Sequence, residues 1–167
     1  LDRPFPVQYA EFLKGMVVGD FGRSFLGGTP VSQLIGDALP ATLALAGASL
    51  LLSLLISIPL GIQAAVHQGR GIDQAIRIGS LVGLSFPNFW LAIMLVLLLS
   101  ITFPLLPPSG WDGPISLIMP TLTMAIIFSA TNVRLVRTSM LETLGAQYIM
   151  VARAKGLKNS VVLYKHA

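Results

Sequence analysis

The chain has no cysteine, only two histidines and few charged residues for its length of 167. Without cysteine, disulfide bonds, thiolate zinc sites and cysteine nucleophiles are excluded. His67 and His166 lie far apart in the sequence, which argues against a metal site. Charged residues make up 11% of the chain and hydrophobic residues 54%, whereas a soluble domain usually carries about 25% charge. This composition excludes a disordered polymer and an ordinary water-soluble enzyme, and it indicates a membrane protein.

Three long stretches contain no ionisable side chain, at residues 38–66, 78–111 and 113–133. About 20 apolar residues cross the core of a bilayer, so each stretch is long enough for one helix. We therefore predict three transmembrane helices, near residues 41–64, 78–103 and 115–133. The lack of buried carboxylates and histidines in these spans argues against a proton-coupled pump.

The polar segments around these stretches alternate in net charge. Residues 1–37 carry −1, residues 67–77 carry +1, the loop around Asp112 carries −1 and residues 134–167 carry +5. By the positive-inside rule, the second and fourth segments are cytoplasmic and residue 1 lies outside the cell. The positive charge is therefore a sign of topology, and no nucleic-acid partner is expected. Because residues 1–37 must be carried across the membrane, we expect a fragment of a longer protein with an upstream span.

Small residues recur every four positions in two of the predicted spans. They are Ser49, Ser53, Ser57 and Gly61 in the first span, and Thr121, Ala125 and Ser129 in the third. Such ridges let two helix backbones approach closely. A ridge of this kind permits either helices that slide on one another or static packing, and the pattern leaves both open.

Pro87, Asn88 and Phe89 interrupt the second predicted span. A proline in mid-span removes a backbone hydrogen bond and kinks the helix, and an asparagine in hydrocarbon needs a partner or a cavity. The three residues therefore indicate either a kinked helix that lines a transport pathway or an interhelical hydrogen bond beside an interfacial aromatic ring.

The last 30 residues predict a helix, a glycine corner and a second short helix. Ser139 and Glu142 fit the capping box S-x-x-E, which predicts a helix that begins near Met140, and Gly156 is well placed to end it. The apolar stripe of this helix consists of Leu141, Leu144, Tyr148 and Val151. A basic amphipathic element of this kind either rests on anionic lipid headgroups or docks a soluble partner.

The segment Tyr148–Leu157 (YIMVARAKGL) resembles the EAA loop of permease subunits from binding-protein-dependent ABC importers, in the dipeptide, oligopeptide and nickel group. Met150 stands where that group usually has arginine. Seven further segments are similar to the family in the same order along the chain. They are Gly19–Ser24 with Pro30 and Val31, Leu39–Leu43, Pro59–Ile62, Ser85–Trp90, Leu106–Trp111, Met119–Leu122 and Arg134–Glu142.

The resemblance implies an all-α polytopic membrane protein that holds three transmembrane helices of a six-span ABC importer permease fold. Residues 1–37 would be periplasmic and contribute to docking a substrate-binding protein, 38–137 would form the bundle, and 138–167 the cytoplasmic coupling-helix region. The residues expected to couple to the ATPase are Ala152, Arg153, Ala154, Lys155, Gly156 and Leu157, whereas Pro87, Asn88 and Phe89 are candidates for the pathway or the kink.

The resemblance also implies the partners and the cargo. The chain has no G-x-x-x-x-G-K-[ST] motif and so cannot bind a nucleotide phosphate by that route. The resemblance implies that the chain itself holds no cofactor and is not an enzyme, and that ATP and Mg are bound by two separate ATPase subunits. A second related permease, a substrate-binding protein and the lipid bilayer of a bacterial or archaeal inner membrane complete the expected assembly. Peptides, nickel, glutathione and certain sugars travel through this group. The alternative is a segment of a secondary transporter or channel whose basic tail binds lipid.

Overall fold

The computed structural model describes residues 4–111 and 113–166, and this part of the chain is helical without a β-strand. The helices are α1 (Phe5–Val17), α2 (Val31–Val66), α3 (Gly71–Ser85), α4 (Asn88–Val96), α5 (Ile118–Leu144), α6 (Gln147–Ala154) and α7 (Asn159–Val161). Wider π-helical turns continue α4 over Leu97–Thr102 and α7 over Val162–His166, and a 3-10 turn at Pro114–Leu117 leads into α5. The predicted loop residue Asp112 and the outermost ends of the predicted terminal segments lie outside the described residues.

The first of two units, Leu1–Ala44, contains α1, a glycine-rich loop and the start of α2. The loop folds back on itself, because Arg23 and Pro30 form an isolated β-bridge and Arg23 donates a hydrogen bond to the carbonyl of Gly28. Helix α1 has no buried residue, and its apolar side chains are exposed, among them Phe5 and Phe12.

Two helical segments, Val31–Val66 and Pro114–Leu144, are long and apolar enough to cross a membrane. The pair Gly71–Ser85 and Asn88–Thr102 qualifies as a third span if the two pieces are taken together. The described part of the chain therefore contains two or three candidate spans, as expected of an all-α polytopic membrane protein. Helix α2 begins ten residues before the predicted first span, 41–64.

The second predicted span, 78–103, is not one continuous helix. Helix α3 begins at Gly71 and ends at Ser85, and α4 starts at Asn88 after a bend of 91°. Phe86 has φ −87° and ψ 130°, an extended conformation that proline imposes on the residue before it. Pro87 also has no N–H to donate to a preceding turn. Together these two residues break the helix, where a kink of the span had been expected.

A helix start near Met140 is also wrong. Helix α5 runs without interruption through Ser139 and Glu142 to Leu144. The capping motif does not start a new helix here, because no glycine or proline ends α5 before it. Ser139 instead lies inside α5, where its carbonyl accepts a hydrogen bond from the Thr143 hydroxyl. The break comes at Ala146, which is extended at φ −70° and ψ 147°. The predicted apolar stripe is thus divided between α5 and α6.

The two predicted ridges of small residues are confirmed as buried helix faces. Ser49, Ser53, Ser57 and Gly61 on α2 and Thr121, Ala125 and Ser129 on α5 are all buried. The Asn132 side chain on α5 donates a hydrogen bond of 3.2 Å to the Ser53 hydroxyl. At Gly61, a Cβ atom would lie 2.6 Å from the Val136 side chain and 3.1 Å from the Val133 carbonyl oxygen. Only glycine fits this contact between α2 and α5.

A buried ion pair joins α3 to α5. The Arg137 guanidinium donates from Nε to Oδ1 of Asp73 at 2.7 Å and from Nη2 to Oδ2 at 2.8 Å. Asp73 Oδ2 also accepts the backbone N–H of Gly69 at 2.9 Å. The Asp73 side chain is 1% exposed and that of Arg137 19%, so the carboxylate is almost completely removed from solvent and depends on these donors.

We expect Gly61→Ala to destabilise the protein. The added methyl group would overlap Val136, and overpacking of this kind costs about 1–3 kcal/mol. Gly47→Ala on the same helix is the matched control, because nothing lies within 4 Å of a Cβ atom there and alanine favours a helix by about 1 kcal/mol. The measurement is the midpoint of thermal unfolding of each variant in mild detergent. Equal midpoints for the two variants would contradict the close contact.

We expect Asp73→Ala to destabilise the protein by about 3 kcal/mol or more, because it leaves the Arg137 charge partly buried without its partner. Glu142→Gln removes one negative charge from an exposed position on α5 and serves as the control. Replacing both members of the pair, as in Asp73→Leu with Arg137→Met, should restore much of the loss. Thermal unfolding in detergent measures all three, and a double variant as unstable as Asp73→Ala would refute this account of the pair.

Candidate functional site

The corner after α6 is a Schellman motif that ends the helix at a glycine. The N–H of Gly156 donates to the carbonyl of Arg153 at 2.9 Å, and the N–H of Leu157 donates to the carbonyl of Ala152 at 3.4 Å. Gly156 has φ +77°, a left-handed conformation that glycine adopts at little cost. The predicted role of Gly156 as the residue that ends the helix is confirmed.

The inner face of α6 is anchored by a small apolar cluster of Ile149, Ala152 and Val162. Ile149 and Val162 are fully buried, and Ala152 is 7% exposed. The chain after the Gly156 corner thus folds back so that the helical turn containing Val162 covers α6. Ala152 was expected to face a partner, but the structure places its side chain inside the chain, because it follows Ile149 by three residues on the same helix face.

The outer face of the corner carries exposed apolar side chains beside cations. Tyr148, Met150 and Val151 are each more than half exposed, and Leu157 is 39% exposed. Ala154, Lys155 and Gly156 are exposed as well. Five of the six residues singled out from the sequence therefore lie at the surface of this corner: Arg153, Ala154, Lys155, Gly156 and Leu157.

Arg153 belongs to a cavity of about 400 Å³ behind the corner. Its polar lining comprises Gln68 and Arg70 from the segment between α2 and α3, Arg153 from α6 and Asn159 from α7. Leu141 and Leu144 at the end of α5 close its apolar side. Two cationic side chains, Arg70 and Arg153, thus line this cavity. Within residues 4–111 and 113–166, no group of three metal-ligating side chains is found there or elsewhere.

The structure places Pro87, Asn88 and Phe89 together at the break between α3 and α4. The carbonyl of Pro87 accepts the N–H of Leu91 and so begins α4. The rings of Phe86 and Trp90 stack across the break, with centroids 4.7 Å apart. Asn88 and Phe89 are exposed, and the Asn88 side chain makes no hydrogen bond within the described residues. An interhelical hydrogen bond of Asn88 is therefore not present in this part of the chain.

Sequence reasoning missed two polar contacts between the helices. One is the hydrogen bond between Asn132 and Ser53, and the other is the ion pair between Asp73 and Arg137. A signal for the first existed, because Asn132 is a polar residue inside a charge-free stretch. Asp73 is the only acid in the segment 67–77, but nothing in the sequence indicates which arginine it contacts.

Comparison with known proteins gives one matching family and several similar permeases. Over 177 aligned residues, the chain is 41% identical to the oligopeptide transport system permease protein AppB of Bacillus subtilis, with 99% of this chain and 56% of AppB covered. It is 35% identical to the metal-staphylopine import system permease protein CntB of Staphylococcus aureus, covering 98% of this chain and 52% of CntB. It is 34% identical to the probable D,D-dipeptide transport system permease protein DdpB of Escherichia coli, covering 100% of this chain and 58% of DdpB.

The chain therefore spans about half the length of the curated relatives it matches. The family model for the binding-protein-dependent transport system inner membrane component matches residues 57–167. This match covers the Asp73–Arg137 pair, the break at Pro87 and the whole of the corner around Gly156. The chain belongs to the family of inner membrane components of binding-protein-dependent transport systems.

Proposed function

We propose that this chain is part of the permease subunit of an ATP-driven importer that moves peptides or related small solutes into the cytoplasm. The family description names a binding protein on which transport depends. The relatives carry names that refer to oligopeptides, D,D-dipeptides and a metal-staphylopine complex. Two of these names refer to peptides and one to a metal-bound small solute, and the proposed cargo is accordingly a peptide or a related small solute. The permease itself would catalyse no reaction, and ATP and Mg would bind to two ATPase subunits.

The charge distribution supports an orientation with residue 1 outside and residue 167 in the cytoplasm. The segment between α2 and α3 and the tail after residue 133 are positive, and the segments at the opposite ends of the spans are negative. In this orientation the corner around Gly156 faces the cytoplasm. Residues 1–37 face the binding protein, and a second related permease completes the pathway.

The exposed apolar face of the Gly156 corner is the observation that carries the coupling role. Tyr148, Met150 and Val151 expose apolar area on a helix that Ile149 and Ala152 anchor from the other side. An exposed apolar patch with a polar rim is typical of a protein interface, and the Schellman hydrogen bonds give the helix a defined end beside it. We infer that the corner, from Tyr148 to Leu157, docks on an ATPase subunit and transmits its movement to the spans.

A secondary transporter or channel with a lipid-bound tail is the competing function. A basic amphipathic helix rests readily on anionic lipid, and α6 has Arg153 in its last turn with Lys155 directly after it. Lipid binding, however, requires no particular residue at the corner, whereas a fitted protein interface does. Substitution at Gly156 therefore distinguishes the two functions.

We expect Gly156→Asp to abolish transport while the protein still inserts into the membrane. The aspartate adds bulk and negative charge to the docking corner, and disrupting one strong interface contact costs about 2 kcal/mol or more, which lowers coupled activity more than about tenfold. Gly156→Asn adds nearly the same bulk without the charge and should have a weaker effect of the same sign. The measurements are uptake of a labelled peptide and the amount of permease in the membrane.

Gly69→Asn is the matched control for this prediction. Gly69 has φ +76°, almost the same as Gly156, and open space around its Cβ position, and asparagine tolerates the left-handed conformation better than most residues. This variant carries the same backbone strain outside the corner and should retain uptake. Normal uptake by Gly156→Asp would refute the coupling role, and equal losses in Gly156→Asn and Gly69→Asn would attribute the effect to strain.

We also expect the complete permease, purified in mild detergent from its native membrane, to carry ATPase subunits and a second permease with it. Mass spectrometry identifies the co-purified chains, and hydrolysis of ATP by the preparation is measured directly. Gly156→Asp should reduce the amount of ATPase recovered relative to Gly69→Asn. A permease that remains alone and without ATPase activity, also after cross-linking in the membrane, would favour the secondary transporter.

A further inference from the structure

Three arginines from two neighbouring helices line one small cavity at the basic end of the bundle. The cavity has a volume of about 220 Å³ and is lined by Arg77 and Leu81 on α3 and by Arg134, Arg137 and Thr138 on α5. Arg134 and Thr138 are held one turn apart by a hydrogen bond of 3.0 Å from the Thr138 hydroxyl to the Arg134 carbonyl. These residues form what we call the arginine cavity.

Asp73, beside the arginine cavity, is hydrogen-bonded to Arg137 and also interacts electrostatically with Arg77. Asp73 accepts two hydrogen bonds from Arg137 and one from Gly69, so its two oxygens are occupied by these donors. Within the described part of the chain, Arg77 and Arg134 form no ion pair with a carboxylate. With one carboxylate, Asp73, beside three arginines, the described residues leave a net positive charge of about two units at the cavity.

The position of the cavity along the spans matches the depth of lipid headgroups. Arg77 is the last charged residue before the charge-free stretch 78–111, and Arg134 is the first after the stretch 113–133. Both guanidinium groups thus mark the boundary between hydrocarbon and polar surroundings on adjacent helices. Leu81 lies one turn further into the apolar stretch and forms the inner wall of the cavity.

Exposed apolar side chains beside the cavity favour a lipid over a soluble anion. Leu81 is 54% exposed. Ile78 follows Arg77 in the sequence and is 57% exposed, and Leu135 follows Arg134 and is 64% exposed. A soluble phosphate gains nothing from such a surface, whereas a phospholipid places its acyl chains against it. Basic pockets between transmembrane helices on the cytoplasmic side are known binding sites for anionic headgroups.

We propose that the arginine cavity binds the phosphate group of an anionic phospholipid from the leaflet at the basic end of the helices. Arg77 on α3 and Arg134 on α5 each bind oxygens of the phosphate group. Arginine is suited to this role because its planar guanidinium group binds phosphate in a bidentate manner. The acyl chains lie along Leu81. The bound lipid then bridges α3 and α5 beside the Asp73–Arg137 pair and makes their packing dependent on lipid composition.

The test compares lipid binding by the complete permease and by the variant with Arg77→Gln and Arg134→Gln. Arg137 is kept, since it is needed by Asp73. The protein is placed in nanodiscs of phosphatidylcholine with increasing phosphatidylglycerol, and bound phosphatidylglycerol is counted by native mass spectrometry. We expect its affinity to fall about fivefold per arginine and about 30-fold for both, the scale of attraction of one basic side chain at a membrane surface.

A second variant with Lys158→Gln and Lys165→Gln controls for the loss of two positive charges on the same side of the bundle, since both residues are exposed and lie outside the cavity. It should retain phosphatidylglycerol as the unaltered protein does. Equal binding by all three proteins, or equal losses in both variants, would overturn the proposal. Thermal stabilisation in detergent by inorganic phosphate as strong as that by phosphatidylglycerol would overturn the lipid as occupant in favour of a soluble anion.

Discussion

The buried pair of Asp73 and Arg137 organises the basic end of the bundle. It ties the start of α3 to the end of α5, and through the N–H of Gly69 it also fixes the turn that follows α2. A buried carboxylate in this position is costly unless charge and hydrogen bonds compensate it. Here the two parallel hydrogen bonds of the guanidinium group supply both. The pair also brings Arg77 and Arg134 close together, because each lies one helical turn from a member of the pair.

The contacts deeper in the bundle depend on small residues. The ridge of Ser53, Ser57 and Gly61 lets α2 approach α5 until Gly61 meets the Val136 side chain. Several hydroxyl groups in the helices donate to carbonyls of their own helix, as Ser80 does to Ile76 and Thr123 to Met119. This leaves few polar groups to cross between helices, and the hydrogen bond between Asn132 and Ser53 is one that does. Within the described residues, the buried hydroxyls of Ser49, Ser57 and Thr121 have no partner.

The corner around Gly156 joins this bundle to the proposed ATPase contact. On its inner face, α6 packs through Ile149 against Val162 of the following helical turn, and the Schellman hydrogen bonds end the helix at Gly156. Its other face is exposed. Arg153, expected at the outer face, also lines the cavity between α6 and the segment after α2. Arg70, from the segment between α2 and α3, lines the same cavity.

The sequence alone determined the all-α membrane class, the family and the buried ridges of small residues, because hydropathy and four-residue spacing are local properties. It also determined that Gly156 ends a helix, since only the backbone conformation of one residue is involved. The sequence predicted a kink of the second span at Pro87. The full break and its 91° bend depend in addition on how α3 and α4 each pack against α5. The pairing of Asp73 with Arg137 and the burial of Ala152 were decided by the tertiary structure alone, because both bring together residues from different helical segments that no local pattern relates.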